Sequence, residues 1–201
     1  MTAPDGKFWR GVVLACVVTP AAMLILWAFQ DRLGANPVDF VLDATGRLAL
    51  TFLCVSLAVT PLRWMKALDV AWIAPLRRTV GLAAFGYAAV HASIYLVLDQ
   101  SLAVQAILLD LVRRPFILVG AMAFGILCRL TWTSGKKAPA RYGKLRWEAI
   151  HRGAYAATAL GVFHFALLVK IDRTVPYGFG AVVLVLLGAR VVRRARKVSA
   201  G

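Results

Sequence analysis

Six long apolar segments constrain the fold of this chain more than any other feature of its sequence. They run from about Phe8 to Phe29, Leu48 to Leu62, Thr79 to Leu98, Phe116 to Trp132, Ala149 to Val169 and Pro176 to Val192. A helix needs roughly 20 apolar residues to cross a bilayer. Only helices and closed barrels satisfy all backbone groups there, and these runs are too continuous for barrel strands. The sequence predicts an all-α membrane protein, a six-transmembrane-helix bundle forming one domain over residues 1–201.

Charge gives the predicted orientation. The net charge is +15, but the basic residues lie between the apolar runs and form no separate polar module, so we expect a lipid-membrane partner and no nucleic acid. One side carries Lys7, Arg10, Arg63, Lys66, Arg77, Arg78, Lys136, Lys137, Arg141, Lys144, Arg146, Arg190, Arg193, Arg194, Arg196 and Lys197. The other carries only Arg32, Arg47, Arg113, Arg114, Lys170 and Arg173. The positive-inside rule therefore predicts cytoplasmic N and C termini.

The connectors between the apolar segments are short. Asn36-Pro37 and Thr45-Gly46 are typical of turns, and we expect both in the first outer loop. The basic tail that begins near Arg190 is expected in water or among lipid headgroups.

All three histidines of the chain, His91, His151 and His164, fall in predicted membrane segments. Ionisable residues are costly there and often functional. A single histidine could simply bond a neighbouring helix. Because the three histidines together occupy only two of the predicted helices, we favour the interpretation that they bind a cofactor.

Predicted depth in the membrane distinguishes His91 and His164 from His151. His91 lies roughly 21 Å along its helix from Arg77, and His164 lies roughly 24 Å from Glu148. Both helices rise from the cytoplasm, so the two imidazoles should meet in the outer leaflet. Facing histidines at one depth are typical of a b-type haem.

The inner side has a different character. His151 lies near the cytoplasmic start of its helix, and Arg77 and Arg78 stand at the matching depth. Such arginines are suited to haem propionates or a flavin phosphate, although ordinary positive-inside charge explains them equally well. His151 and His164 differ by about 140° around an ideal helix, so they share a face only if that helix is distorted.

Several sequence blocks together resemble one known family. They are GANPVDFVLDATGRLAL (Gly34–Leu50), TPLR (Thr60–Arg63), LRRTVGL (Leu76–Leu82), AAVHASIY (Ala88–Tyr95), RRPFI (Arg113–Ile117), YGKLRWEAIHRGAY (Tyr142–Tyr155) and FHFALLVK (Phe163–Lys170). In this order they resemble the MsrQ (YedZ) family of ferric-reductase-like transmembrane proteins.

The resemblance implies a haem-binding membrane subunit of the bacterial inner membrane. It implies electron transfer from the quinone pool, or from a cytoplasmic flavin reductase, to a periplasmic molybdopterin subunit that reduces methionine sulfoxide in oxidised proteins. It implies haem b, one or two, and FMN, with His91, His151 and His164 as ligands of haem iron. The wider superfamily has a histidine where this chain has Arg77, which leaves FMN or a five-coordinate haem near His151, Arg77 and Arg78.

Substrate chemistry is then expected on the partner, and no catalytic residue is assigned to this chain. Two alternatives stay open. One is a stand-alone haem-containing reductase of a metal or of oxygen. The other is a small non-redox transporter or scaffold whose histidines relay protons or pack helices.

Overall fold

The computed structural model describes residues 6–64 and 76–199, and these parts of the chain are helical. The helices are α1 (Gly6–Phe29), α2 (Pro37–Trp64), α3 (Leu76–Ile94), α4 (Val104–Arg113), α5 (Pro115–Trp132), α6 (Ala138–Tyr142), α7 (Lys144–His151), α8 (Gly153–Leu168) and α9 (Thr174–Val198). A π-helical turn, Tyr95–Asp99, continues α3. The predicted all-α class is confirmed for this part of the chain. Lys66 lies outside the described residues, as do the side chains of Lys7 and Lys197.

Five helices in the described ranges are long and apolar enough to cross a membrane: α1, α2, α3 with its π turn, α5 and α9. The fifth predicted segment, Ala149 to Val169, is interrupted at Arg152, where α7 ends and α8 begins. Helix α8 has 16 residues and is roughly 24 Å long, shorter than the roughly 30 Å hydrocarbon core. The chain is therefore a membrane protein with several apolar helices, and the count of six spans stays a prediction.

Helix α2 corrects the predicted first outer loop. Asn36 does lie at a turn, because its Oδ1 accepts the backbone N–H of Asp39 and so caps the helix that begins at Pro37. Thr45-Gly46, however, lies inside α2, and the Thr45 hydroxyl donates to the carbonyl of Val41 at 2.6 Å. The prediction of a turn there is wrong, because a threonine can satisfy its hydroxyl on the preceding helical turn.

The second outer connection also contains structure that the apolar pattern did not predict. Helix α4 is a short amphipathic helix between the π turn and α5. Its exposed apolar side chains include Leu108 and Val112, whereas Asp110 is buried on the opposite face. Arg114 is extended, and Pro115 begins α5 directly after it. Helix α4 therefore joins the outer ends of α3 and α5 through a packed element.

The core lies where α2, α3, α5 and α8 meet. It is formed by Leu53, Ala84, Leu127, Leu130 and Ala157. Ala84 and Ala157 have no exposed surface. Small side chains at such crossings let helix backbones approach closely, which is how membrane helices gain packing energy. In this core α3 packs mainly on α2 and α8 mainly on α5, so that α3 and α8 face each other across the bundle.

Pro61 interrupts the hydrogen bonding of α2, and Arg190 compensates for it. Proline has no N–H, so the carbonyl of Leu57, four residues earlier, loses its helical donor. A terminal nitrogen of Arg190 on α9 donates to this oxygen, and the guanidinium lies 4.7 Å from the Tyr155 ring centroid. The expectation that the basic tail is solvated from Arg190 onward is wrong at this residue, because an orphaned carbonyl in lipid needs a donor.

Tyr87 makes another bond of this kind between helices. Its hydroxyl on α3 donates to the carbonyl of Val17 on α1 at 2.7 Å, next to Cys16, whose carbonyl loses its helical donor because Pro20 has no N–H. This bond ties α1 to the bundle.

We expect Arg190→Met to destabilise the protein by about 1–3 kcal/mol, because the Leu57 carbonyl loses a charged donor. In a Pro61→Ala background the loss should be smaller, since alanine at this position supplies the missing backbone N–H. Thermal unfolding in detergent measures both effects, with Arg194→Met as the exposed control. An equal loss in the two backgrounds would contradict the assignment.

Candidate functional site

His91 on α3 and His164 on α8 meet in the bundle. Their ring centroids lie 6.1 Å apart, and the ring planes are nearly perpendicular at 88°. Both side chains are half-buried. The prediction that these two histidines meet is confirmed, whereas their common depth in the membrane and their role as ligands stay predictions.

Each ring is hydrogen-bonded through Nδ1 to a backbone carbonyl of a neighbouring helix. Nδ1 of His91 lies 2.9 Å from the carbonyl oxygen of Leu42 on α2, and Nδ1 of His164 lies 2.6 Å from that of Phe116 on α5. A carbonyl oxygen can only accept, so Nδ1 carries the proton in both rings. Nε2 therefore carries the lone pair and points away from the carbonyl. This is the arrangement in which proteins present histidine to a metal.

The separation of the rings fits an iron atom between them. Two metal–nitrogen bonds of about 2 Å, together with the half-width of each ring, place the centroids about 6 Å apart. Within the described residues, no group of three or more His, Cys, Asp or Glu side chains could hold a metal ion. Two axial histidines are sufficient for haem, because the porphyrin supplies the other ligands. The donor set therefore fits haem better than a bare metal ion.

A pair of charged residues lies beside the two histidines. Arg47 donates to Asp43 at 2.8 Å within α2, and its guanidinium lies 5.6 Å from the Phe165 ring centroid on α8. Phe165 follows His164 directly in the chain. Helices α2 and α3 carry one carbonyl acceptor and its histidine, and α5 and α8 carry the other. Arg47 therefore links these two helix pairs through its contact between α2 and α8.

A second contact links the same two helix pairs, this time through α3 and α5. Asp110 of α4 accepts from the Tyr95 hydroxyl at 3.0 Å and from Nε of Arg114 at 3.0 Å. Tyr95 begins the π turn after α3, and Arg114 precedes α5. We call Tyr95, Asp110 and Arg114 the outer clamp. It holds the end of the helix that carries His91 beside the start of the helix that accepts from His164.

His151 lies apart from this pair and uses the opposite nitrogen. Its Nε2 lies 3.3 Å from the carbonyl oxygen of Thr133, at the end of α5. Trp147 also donates to that oxygen at 3.0 Å, and its ring lies 4.3 Å from the His151 ring, centroid to centroid. The Thr133 hydroxyl also lies 3.3 Å from Nε2, and it donates its own proton to the carbonyl of Arg129 at 2.9 Å. Both neighbours of Nε2 are therefore acceptors, which assigns the proton to Nε2 and the lone pair to Nδ1. The helix distortion that the phase argument required is present at Arg152.

The two inner arginines diverge. Arg77 is half-buried and lies within electrostatic range of both His151 and Arg190, whereas Arg78 is exposed. Nε of Arg190 is buried and has no acceptor among the described residues. At the inner end of the bundle, positive charge therefore lies near His151, from Arg77, and over the ring of Tyr155, from Arg190.

Comparison with known proteins agrees with this geometry. The family model described as ferric reductase like transmembrane component matches residues 45–162, which include Arg77, His91 and His151 and end shortly before His164. A haem-binding subunit MsrQ of protein-methionine-sulfoxide reductase from Herminiimonas arsenicoxydans is 40% identical over 94% of this chain and 86% of its own length. The chain belongs to the ferric-reductase-like transmembrane family and, within it, to the MsrQ proteins.

Other relatives show the same family. An MsrQ haem-binding subunit from Azospira oryzae is 42% identical over 93% of this chain and 80% of its own length. The magnetosome protein MamZ of Paramagnetospirillum magneticum is 38% identical over 90% of this chain but only 29% of its own length. No solved structure matches this member of the family.

Sequence reasoning missed two kinds of residue at this site. Gly46 and Gly120 pack against the histidine rings, and Asp110 centres the outer clamp. A signal for Asp110 was present, because it is a carboxylate within an amphipathic helical stretch of an outer loop. Gly46 was assigned to a turn, and only the helix that contains it shows what it contacts.

We expect Asp110→Ala to destabilise the protein by about 1–2 kcal/mol, since it leaves the Tyr95 hydroxyl without its acceptor. The half-exposed Arg114 pair should contribute little of this loss. Thermal unfolding in detergent checks the change against Asp99→Ala, an exposed carboxylate in the same connection. Similar losses in both variants would count against the clamp.

Proposed function

We propose that this chain is a haem b-containing electron-transfer subunit of a methionine sulfoxide reductase system in the bacterial inner membrane. The observation that carries the proposal is the state of the outer pair: Nδ1 of His91 and of His164 is committed to a carbonyl, and the rings lie 6.1 Å apart. Haem bound there supplies one-electron transfer at a depth that a soluble donor does not reach. Membership of the MsrQ family supports the same assignment.

We further propose six spans with both termini cytoplasmic. The positive-inside bias of the connectors supports this orientation. Helix α7 together with α8 forms the remaining span, because Arg152 interrupts them for a single residue. In this orientation the outer pair lies towards the periplasm, and His151 with Arg77 lies towards the cytoplasm.

The inner end is proposed to bind an anionic cofactor group, either an FMN phosphate or the propionate of a second haem. Arg77 and Arg190 lie within electrostatic range of each other, and the free N–H of Arg190 among the described residues suits an oxyanion. His151 offers Nδ1 to this site. Arg78 is exposed, so it can bind the cofactor only if the cofactor extends to the surface of the helix.

Electrons are proposed to enter from the quinone pool or a cytoplasmic flavin reductase and to leave at the outer loops. The acceptor is a periplasmic molybdopterin-containing methionine sulfoxide reductase subunit, which performs the substrate chemistry. Arg47 lies beside the outer pair, and the outer clamp lies at the ends of α3 and α5 that face this surface in the proposed orientation. Their charges suit either haem propionates or the partner protein.

The ligand assignment is tested by a reduced-minus-oxidised spectrum of protein purified in mild detergent after haem-sufficient expression. We expect His91→Ala and His164→Ala each to abolish the outer haem signal, because an axial ligand is lost. His151→Ala should spare it. A wild-type protein without Soret or α bands refutes the proposal, and equal loss in all three variants refutes the separation of inner from outer sites.

The partner assignment is tested in proteoliposomes with the haem reduced in advance. We expect rapid reoxidation only when both methionine sulfoxide and the periplasmic subunit are added outside. Ferric citrate or oxygen is added in parallel, without the subunit. Equally rapid reoxidation by either of these would favour the alternative, a stand-alone metal or oxygen reductase.

A further inference from the structure

Each histidine of the outer pair packs against a glycine that lies four residues after its carbonyl acceptor. His91 donates to Leu42, and Gly46 follows on the same face of α2. His164 donates to Phe116, and Gly120 follows on the same face of α5. The same three-part arrangement therefore occurs twice, with donor and acceptor 49 residues apart in one case and 48 in the other.

The glycines matter because of the atom they lack. A Cβ added to Gly120 would lie 2.8 Å from Nδ1 and 2.9 Å from Cε1 of His164. A Cβ added to Gly46 would lie 3.2 Å from the same two atoms of His91. Residues i and i+4 lie one above the other on a helix, so a side chain at i+4 covers the approach to the carbonyl at i. Glycine leaves that approach open to the imidazole.

We propose that Gly46 and Gly120 are positioning residues for the outer haem. Each lets one imidazole reach the preceding carbonyl, which keeps the proton on Nδ1 and directs the lone pair of Nε2 towards the iron. The inference rests on the proposed function for the identity of the metal centre. The contact between glycine and imidazole is a property of the helices themselves.

The two glycines should differ in importance. At Gly120 an added methyl group would overlap the ring, so His164 must move or the helices must separate. At Gly46 a displacement of a few tenths of an ångström suffices, which lengthens the bond to Leu42 without breaking it. A longer bond makes the imidazole a weaker donor to ferric iron and raises the reduction potential.

The first experiment compares alanine variants of the full chain after haem-sufficient expression. Gly120→Ala should retain about tenfold less haem per polypeptide, in line with losses from other outer-shell changes at metal sites. Gly46→Ala should retain haem with a midpoint potential shifted upward. Gly125→Ala on α5 and Gly86→Ala on α3 are matched controls, because a Cβ there would meet nothing within 4 Å among the described residues. Both controls should keep the wild-type haem content and potential.

A second experiment requires no haem. We expect Gly120→Ala to lower the unfolding temperature in detergent when His164 is present. In a His164→Ala background the same change should be neutral or raise that temperature, because the clash is gone and alanine favours the helix. The coupling between the two positions measures the contact directly.

These experiments distinguish failure of the proposed function from failure of the positioning role of the two glycines. Absence of haem from the wild type overturns the proposed function, and the coupling between residues 120 and 164 still tests the contact. Haem in the wild type, with unchanged content and potential in both glycine variants, overturns the positioning role. Equal haem loss in Gly125→Ala and Gly120→Ala also overturns it, as does an equal effect of Gly120→Ala with and without His164.

Discussion

In the hydrocarbon core of a membrane no water is present to satisfy a backbone carbonyl, and this constraint governs how the described helices contact one another. Side-chain donors reach carbonyl oxygens on neighbouring helices at several separate places. Arg190 reaches Leu57, and Tyr87 reaches Val17, each in a turn disturbed by a proline. The two outer histidines reach the carbonyls of Leu42 and Phe116, neither of which has a proline four residues after it. Helix packing and the candidate cofactor site therefore use the same interaction.

The outer pair is built from two similar halves. Helices α2 and α3 supply one carbonyl, glycine and histidine, and α5 and α8 supply the other. Because each Nδ1 is committed to its carbonyl, neither ring can exchange tautomers or turn freely. Arg47 joins the halves beside the histidines, and the outer clamp joins the end of α3 to the start of α5. Side chains held in this way suit the proposed electron transfer, which needs little rearrangement of the protein.

The inner end is less symmetrical. His151 is hydrogen-bonded through Nε2 to Thr133, and Arg77 lies within electrostatic range of it. Arg190 donates to the carbonyl left without a donor by Pro61 and lies within electrostatic range of Arg77. The two ends of the bundle thus differ in chemistry: two imidazoles meet at the outer end, whereas a single imidazole has an arginine near it at the inner end.

Hydropathy and histidine spacing determined the all-α class, the position of most helices and the meeting of His91 with His164, because these depend on helical rise and on the thickness of a bilayer. Family membership was also readable from the order of the sequence blocks. The start of α2 was missed, because threonine and glycine are also typical of turns and Thr45-Gly46 was therefore predicted to be one. Helix α4 was missed because its apolar stretch is short. The roles of Gly46, Gly120 and Arg190 depend on atoms supplied by helices distant in the chain. Only the tertiary structure shows which carbonyl each donor reaches, because hydrogen bonding between helices leaves no periodic pattern in a single sequence.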